Sequence, residues 1–328
     1  MRAPAFWSGG GGVMPLLLAP VSALYAQATA RRMARPGWVA PVPVICCGNA
    51  TAGGAGKTTV ALDLGRRLAD RGVAAHFLLR GYGGTVKGPL LVDPATHDST
   101  TVGDEALLLA DVRPTWVSAD RAAGARAAIA ANARAIVMED GLQNPTLAKD
   151  LSLLVIDGGF GFGNGRIIPS GPLREPVAAA AARCQAAVLI GEDETGALAQ
   201  LPPGLRVLRA RLAAGPEAAM LRGQPVFAFC GIASPRKFFN TLQEAGAILA
   251  GRESFADHYP YDAGDMQELL AQADALRALP VTTKKDFVRI PPAFRSRVTV
   301  VTVTLAWEES AEIESLLDPL AQRVPIPA

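Results

Sequence analysis

The stretch "PVPVICCGNATAGGAGKTTVALDLGRRL" (41–68) decides how the rest of the chain is read. Its first part is apolar and β-branched and predicts a short buried strand. A turn rich in glycine follows, free to take positive φ. Lys57 and Thr58 then open a helix whose Val60, Leu62, Leu64 and Leu68 form a broad apolar face, with Gly72 just past its end. Unpaired main-chain N–H groups at such a helix start converge on phosphate oxygens, and the helix dipole adds positive potential. Lys57 supplies a mobile charge for the outer phosphates, and the Thr58 hydroxyl is placed to ligate Mg²⁺. The cradle expected around a nucleoside triphosphate is Thr51, Gly53, Gly54, Ala55, Gly56, Lys57, Thr58 and Thr59. The strict G-x-x-x-x-G-K-[ST] pattern has glycine where Thr51 stands, so Gly53 and Gly54 are expected to supply the missing freedom.

At 328 residues the chain exceeds the usual size of a single core, and two domains are expected. The fold class is α/β, a P-loop NTPase-like parallel sheet flanked by helices with a second, smaller α/β domain. The expected division is 1–35 as an N-terminal membrane-surface helix region, 36–210 as the ATP-binding core and 211–328 as the smaller domain. Lys and Arg total 32 against 30 Asp and Glu, which argues against a nucleic-acid binder working by bulk charge. Four cysteines without a CxxC pair read as buried thiols in a reducing compartment, and three histidines argue against a structural zinc site.

The segment "VMPLLLAPVSALYAQA" (13–28) is apolar, and "RRMAR" (31–35) follows it. It reads as a signal peptide, as an interfacial helix or as an ordinary core helix. Pro15 and Pro20 and its short length argue against a membrane span. A nucleotide-dependent activity downstream argues against export.

Further along, "VGDEALLLA" (102–110) sets Asp104 and Glu105 before an apolar helix. A strand ends in Glu139-Asp140-Gly141, and carboxylates at the carboxyl ends of strands face the ligand crevice of an open α/β sheet. Another strand leads into a loop rich in glycine and proline that ends at Arg174-Glu175. On residue type alone, Asp104 also fits a helix cap, and His258 also fits a surface histidine in a polar loop.

Taken in order, "GNATAGGAGKT", "RGYGG", "GDEALLLA", "EDGLQNPTLAKDLSLLVID", "GNGRIIPSGPLREP", "FCGIASPRKFF" and "FADHYPY" resemble the tetraacyldisaccharide 4'-kinase family of lipid A synthesis. The resemblance implies ATP-dependent phosphorylation of the 4'-hydroxyl of a tetraacyldisaccharide 1-phosphate, yielding lipid IVA. It implies work on the cytoplasmic face of the inner membrane, held there by the N-terminal helix, with no nucleic acid and no obligate protein partner. The implied catalytic pair is Asp104 and His258, with Lys57, Arg174 and Mg²⁺ steadying the transferring phosphoryl group. Thr58, Glu105, Glu139 and Asp140 are the implied metal ligands. The family has Asp-Asp-Gly where this chain has Glu139-Asp140-Gly141, a difference of one methylene.

In the second half, 198–225 reads as a linker or crossover rich in Pro, Gly and Arg. Strand, helix, strand and helix patterns follow, and "RVTVVTVTLAW" (297–307) reads as a strand. A rival reading is a P-loop GTPase, because "TKKD" (283–286) fits the guanine-reading pattern and "DETG" (193–196) a loose D-x-x-G. If His258 belongs to the second unit and Lys57 to the first, the site lies between them.

Overall fold

The computed structural model describes residues 4–9 and 12–324. Its strands are β1 (Val44–Gly48), β2 (Ala75–Leu79), β3 (Leu90–Leu91), β4 (Thr115–Val117), β5 (Ala135–Glu139), β6 (Leu151–Asp157), β7 (Ala186–Ile190), β8 (Arg206–Ala214), β9 (Pro225–Cys230), β10 (Ile248–Ser254), β11 (Leu279–Thr283), β12 (Thr299–Val301) and β13 (Val303–Trp307). They make two sheets, ordered β13-β8-β7-β6-β1-β5-β2-β4-β3 and β10-β9-β11-β12. Only the edge pairs β13–β8 and β3–β4 run antiparallel.

Every residue of β1, β2, β5, β6 and β7 is buried, as a parallel sheet covered on both faces requires. Alternate residues feed two cores. Ile45 and Cys47 pack with Leu64, Leu68 and Phe77 on one face, and Val44 and Cys46 with Met138, Leu142 and Leu147 on the other. The central strand β1 lies between β5 and β6, with Cys47 opposite both Glu139 and Leu153. The carboxyl ends of these three strands therefore bring the phosphate loop beside Glu139-Asp140 and Asp157.

The smaller sheet is covered in the same way. Phe238, Phe239 and Leu242 of the helix Pro235–Glu244 pack on Val226, Ala228 and Cys230. Met266, Leu269 and Leu270 of the helix Ala263–Ala275 pack on Phe227 and Phe229.

Three expectations need correction. The segment read as a linker contains β8, whose parallel partner is β7 and whose antiparallel partner is β13. The run at 297–307 is two strands in different sheets, and the break falls at Thr302, whose N–H bonds to the Glu217 carboxylate. The boundary drawn at residue 210 cuts through β8, and the chain returns to the large sheet after residue 302. The terminal helix Ser310–Gln322 packs its Leu317 and Leu320 into the large core. There Glu314 bonds Arg67 and Arg71, and Asp318 lies 2.8 Å from Arg71.

Candidate active site

The phosphate loop runs from β1 into the helix Lys57–Asp70. Gly56 adopts φ 85°, a left-handed conformation that favours glycine, and a Cβ there would also press on the end of the Ile190 side chain at 2.5 Å. Gly53 also takes positive φ, as expected, at 129°. Thr51 stands where the strict pattern has glycine because its backbone does different work. It forms an antiparallel bridge with Leu173, and Arg174 N–H donates to Ala50 O at 2.7 Å. This pairing delivers Arg174 to the site.

Lys57 and Arg174 converge on one carboxylate. Arg174 Nη1 lies 2.7 Å from Asp140 Oδ1, and Lys57 Nζ lies 3.6 Å from the same oxygen. Burial by itself would raise the Asp140 pKa, but the Lys57 and Arg174 charges outweigh it and hold the carboxyl at about 2. Asp140 thus neutralises the two cations expected to meet phosphates.

Glu139 is in the opposite condition. It is buried at the end of β5, and Thr58 Oγ1 donates to its Oε1 at 3.4 Å. Burial first, then the charges of Glu105 and Asp140, push its carboxyl well above the ordinary range. Among the described residues no group of three His, Cys, Asp or Glu side chains is arranged to hold a metal by itself. A nucleotide-bound Mg²⁺ needs only one or two carboxylates beside phosphate oxygens and water. The carboxyl groups of Glu139 and Glu105 beside the Thr58 hydroxyl offer the oxygen donors such an ion takes.

Asp104 opens the helix Asp104–Ala110 and is 3% exposed. Its position depends on Gly103, at φ 88°, where a Cβ would sit 2.4 Å from Tyr82 O. The "RGYGG" and "GDE" segments therefore interlock. Asp104 Oδ1 accepts the Glu105 N–H at 2.9 Å, and Oδ2 lies 2.8 Å from His258 Nδ1 and 3.4 Å from Arg289 Nε. The two partners of the Asp104–His258 contact are 154 residues apart in sequence. His258 holds a left-handed φ of 60°, and its N–H donates to Gly231 O at 3.1 Å. A non-glycine residue kept there must be over-determined by its surroundings. Burial works to raise the Asp104 pKa, but the bond from His258 and the charges of Lys285 and Arg289 outweigh it. The carboxyl stays below its ordinary range and is ionised at neutral pH.

Residue-type reasoning missed several participants. Lys285 Nζ lies 3.4 Å from His258 Nε2, 3.4 Å from Asp257 Oδ1 and 3.7 Å from Glu105 Oε1. Gln143 donates to Asn49 O at 2.9 Å and to Glu175 Oε1 at 2.8 Å, bracing the loop. Lys237 of the second unit reaches Asp157 Oδ1 at 2.5 Å.

The guanine-reading expectation fails on its aspartate. Asp286 is completely buried; its Oδ1 accepts Gly231 N–H at 2.6 Å, Tyr261 O–H at 2.8 Å and Arg289 Nη2 at 2.9 Å, and its Oδ2 accepts the Thr283 O–H at 2.5 Å. No acceptor remains open to a base. Asp193 of "DETG" accepts Ala197 N–H and Leu198 N–H and merely starts a turn of 3₁₀ helix.

At the amino end, the helices Val13–Leu17 and Ala19–Met33 expose Val13, Met14, Leu16, Leu17, Val21 and Leu24, each more than half accessible. The Ser22 hydroxyl, shared with Ile167 O and Ser170 Oγ at 2.8 Å each, ties the longer helix to the loop before Arg174. No described helix is long and apolar enough to cross a membrane.

Residues 14–322 match the family model described as tetraacyldisaccharide-1-P 4'-kinase. A protein of Gluconacetobacter diazotrophicus named tetraacyldisaccharide 4'-kinase is 60% identical, over 97% of this chain and 98% of its own length. One of the same name from Rhodospirillum rubrum is 53% identical over 98% of each. The crystal structure of LpxK from Aquifex aeolicus in complex with ATP superposes with a TM-score of 0.75 at 24% identity, covering 94% of this chain and 99% of that one.

Proposed function

The chain belongs to the tetraacyldisaccharide 4'-kinase family, and from that premise we propose how its residues divide the transfer. The enzyme uses ATP to phosphorylate the 4'-hydroxyl of tetraacyldisaccharide 1-phosphate, forming lipid IVA in lipid A synthesis. The loop from Thr51 to Thr59 holds the triphosphate, its main-chain N–H groups meeting phosphate oxygens at the helix start. Lys57 and Arg174 exchange Asp140 for the phosphoryl oxygens and stabilise charge spread over them during transfer. Thr58, Glu105 and Glu139 would hold Mg²⁺, which when bound supplies a charge clamp on the phosphate oxygens. Asp140, released as those two cations turn to the phosphates, would complete that set.

The observation that carries the acceptor side is the 2.8 Å contact between Asp104 and His258. Asp104 accepts the proton of the sugar hydroxyl. A carboxylate with a lowered pKa is a weak base toward an alcohol, so the proton moves late, once bonding to phosphorus has made the hydroxyl acidic. His258 orients the carboxylate, and its ring is stacked at a tilt, 5.6 Å from Tyr82.

Residues 1–35 form the surface-attachment region, with the exposed apolar side chains entering the lipid boundary and Arg31, Arg32 and Arg35 meeting anionic headgroups on the cytoplasmic face of the inner membrane. Residues 36–214 with 303–322 form the ATP-binding core, and 215–302 the smaller unit. The site spans both, so closure of one on the other excludes water from ATP. Asp104→Asn tests the assignment: turnover should fall about 10²- to 10⁴-fold, with ATP affinity kept. Normal turnover in that folded variant contradicts the role.

A further inference from the structure

Lys285 lies in the segment that the guanine-reading pattern had claimed, yet its ammonium points into the contact between the two units. An ammonium only donates hydrogen bonds. At 3.4 Å from His258 Nε2, it can bond that nitrogen only as a donor to its lone pair, an arrangement open to the ring when Nε2 carries no proton. The ring proton is then on Nδ1, which faces Asp104 Oδ2 at 2.8 Å. Each competing state meets an obstacle. An imidazolium would turn an N–H toward the Lys285 charge. The opposite tautomer would turn its bare Nδ1 toward a carboxylate that is ionised, two acceptors face to face. Asp257 Oδ2, the other group near Nε2, is 3.7 Å away, and its partner oxygen is 3.4 Å from Lys285. Arg289 reaches the same Asp104 oxygen through Nε at 3.4 Å, fixed in turn by Tyr259 O at 2.8 Å and Gly231 O at 3.0 Å.

We propose that Lys285 is a positioning residue that locks His258 as the neutral Nδ1–H tautomer, so that its one proton is always directed at Asp104. The proposal rests on the reading of Asp104 and His258 as the acceptor-activating pair. Lys285 does not touch the sugar. It acts through His258, and its contact with Glu105 forms the lock where the two units meet. A histidine with the wrong nitrogen protonated would leave Asp104 unoriented while the nucleotide cradle stayed intact.

The test uses the full chain with ¹⁵N-labelled histidine rings at mildly alkaline pH. Three imidazoles contribute, His76, His97 and His258, and His258→Asn assigns the last. In the unaltered protein and in Lys285→Arg, His258 should give the coupling pattern of a protonated Nδ1 and a bare Nε2. Lys285→Met should show Nε2–H gaining population, with kcat down about tenfold or more and KM for ATP nearly unchanged. Lys284→Ala, which removes the pair with Asp111 and the cation over the Phe287 ring, controls for disturbance of the segment and should leave the pattern as it was. An Nε2–H pattern in the unaltered protein overturns the proposal, and this reading does not depend on any variant folding. An unchanged Nδ1–H pattern in folded Lys285→Met also overturns it. A shifted tautomer with turnover intact upholds the lock and removes His258 from the catalytic reading instead.

Discussion

The phosphate loop and the Thr283–Asp286 segment look alike on paper. Each follows a parallel strand, carries lysine beside a hydroxyl residue and begins a helix. In the first, Lys57 reaches the loop carbonyl of Gly53 and the Asp140 carboxylate, and the chain around it leaves donors facing the crevice. In the second, Thr283 caps its own short helix and Asp286 is consumed by four donors inside the small unit, leaving Lys285 turned to the site. A short motif announces a binding loop only where its polar groups remain unspent after the fold has used what it needs.

That contrast breaks most readily at its two poles. Lys57→Ala should lower turnover by roughly 10³-fold and leave the melting temperature nearly unchanged. A comparable loss of stability would make Lys57 a structural residue after all. Asp286→Ala should do the reverse and destabilise the small unit by about 2–4 kcal/mol, because it removes the buried acceptor shared by Gly231 N–H, Tyr261 O–H, Thr283 O–H and Arg289. Nucleotide preference should not move, and a selective loss of guanine-nucleotide binding in that variant would revive the rejected pattern.

Glu139 sharpens the same comparison, since its polar capacity is unspent in the other sense. Its folded pKa lies above the ordinary 4.5, so the folded state holds a proton that the unfolded chain has released. Stability in Mg²⁺-free buffer should therefore decline as pH rises above about 4.5 toward the folded pKa. Glu139→Gln should flatten that decline, measured by thermal melts across pH, and should weaken Mg²⁺-dependent turnover. A steeper decline would reject the charge surplus. The smallest effect belongs to the amino end, where Leu17→Ser with Leu24→Ser should reduce sedimentation with anionic vesicles several-fold at unchanged nucleotide affinity. Equal sedimentation would reject attachment through this face.

The sequence carried the phosphate-loop half of the site well because that half is local. Strand, turn and helix follow one another within the opening stretch, and their physics needs no distant partner. The substitution at Thr51 became intelligible only with Leu173 alongside it, since bridge pairing across more than a hundred residues leaves no mark on either segment. The strand β8 was hidden by Pro202, Pro203 and Gly204 before it and Gly215 and Pro216 after it, which read as a linker although Arg and apolar residues alternate between them. The uninterrupted β-branched run at 297–307 concealed a change of sheet, because the break at Thr302 is imposed by Glu217 and not by any local breaker. Asp104 and His258 were found through family resemblance. Residue type left a helix cap open for Asp104 and made a surface histidine the default for His258, and only the fold brings the two together.

The central claim is that Asp104 and His258, supplied by different units, activate the acceptor hydroxyl as one device. A double-mutant cycle in kcat/KM measures this directly, with Asp104→Asn, His258→Asn and the two combined. The combined variant should be no slower than the slower single variant, each having already disabled the pair. Losses that multiply in the combined variant would mean two independent contributions and would contradict the claim.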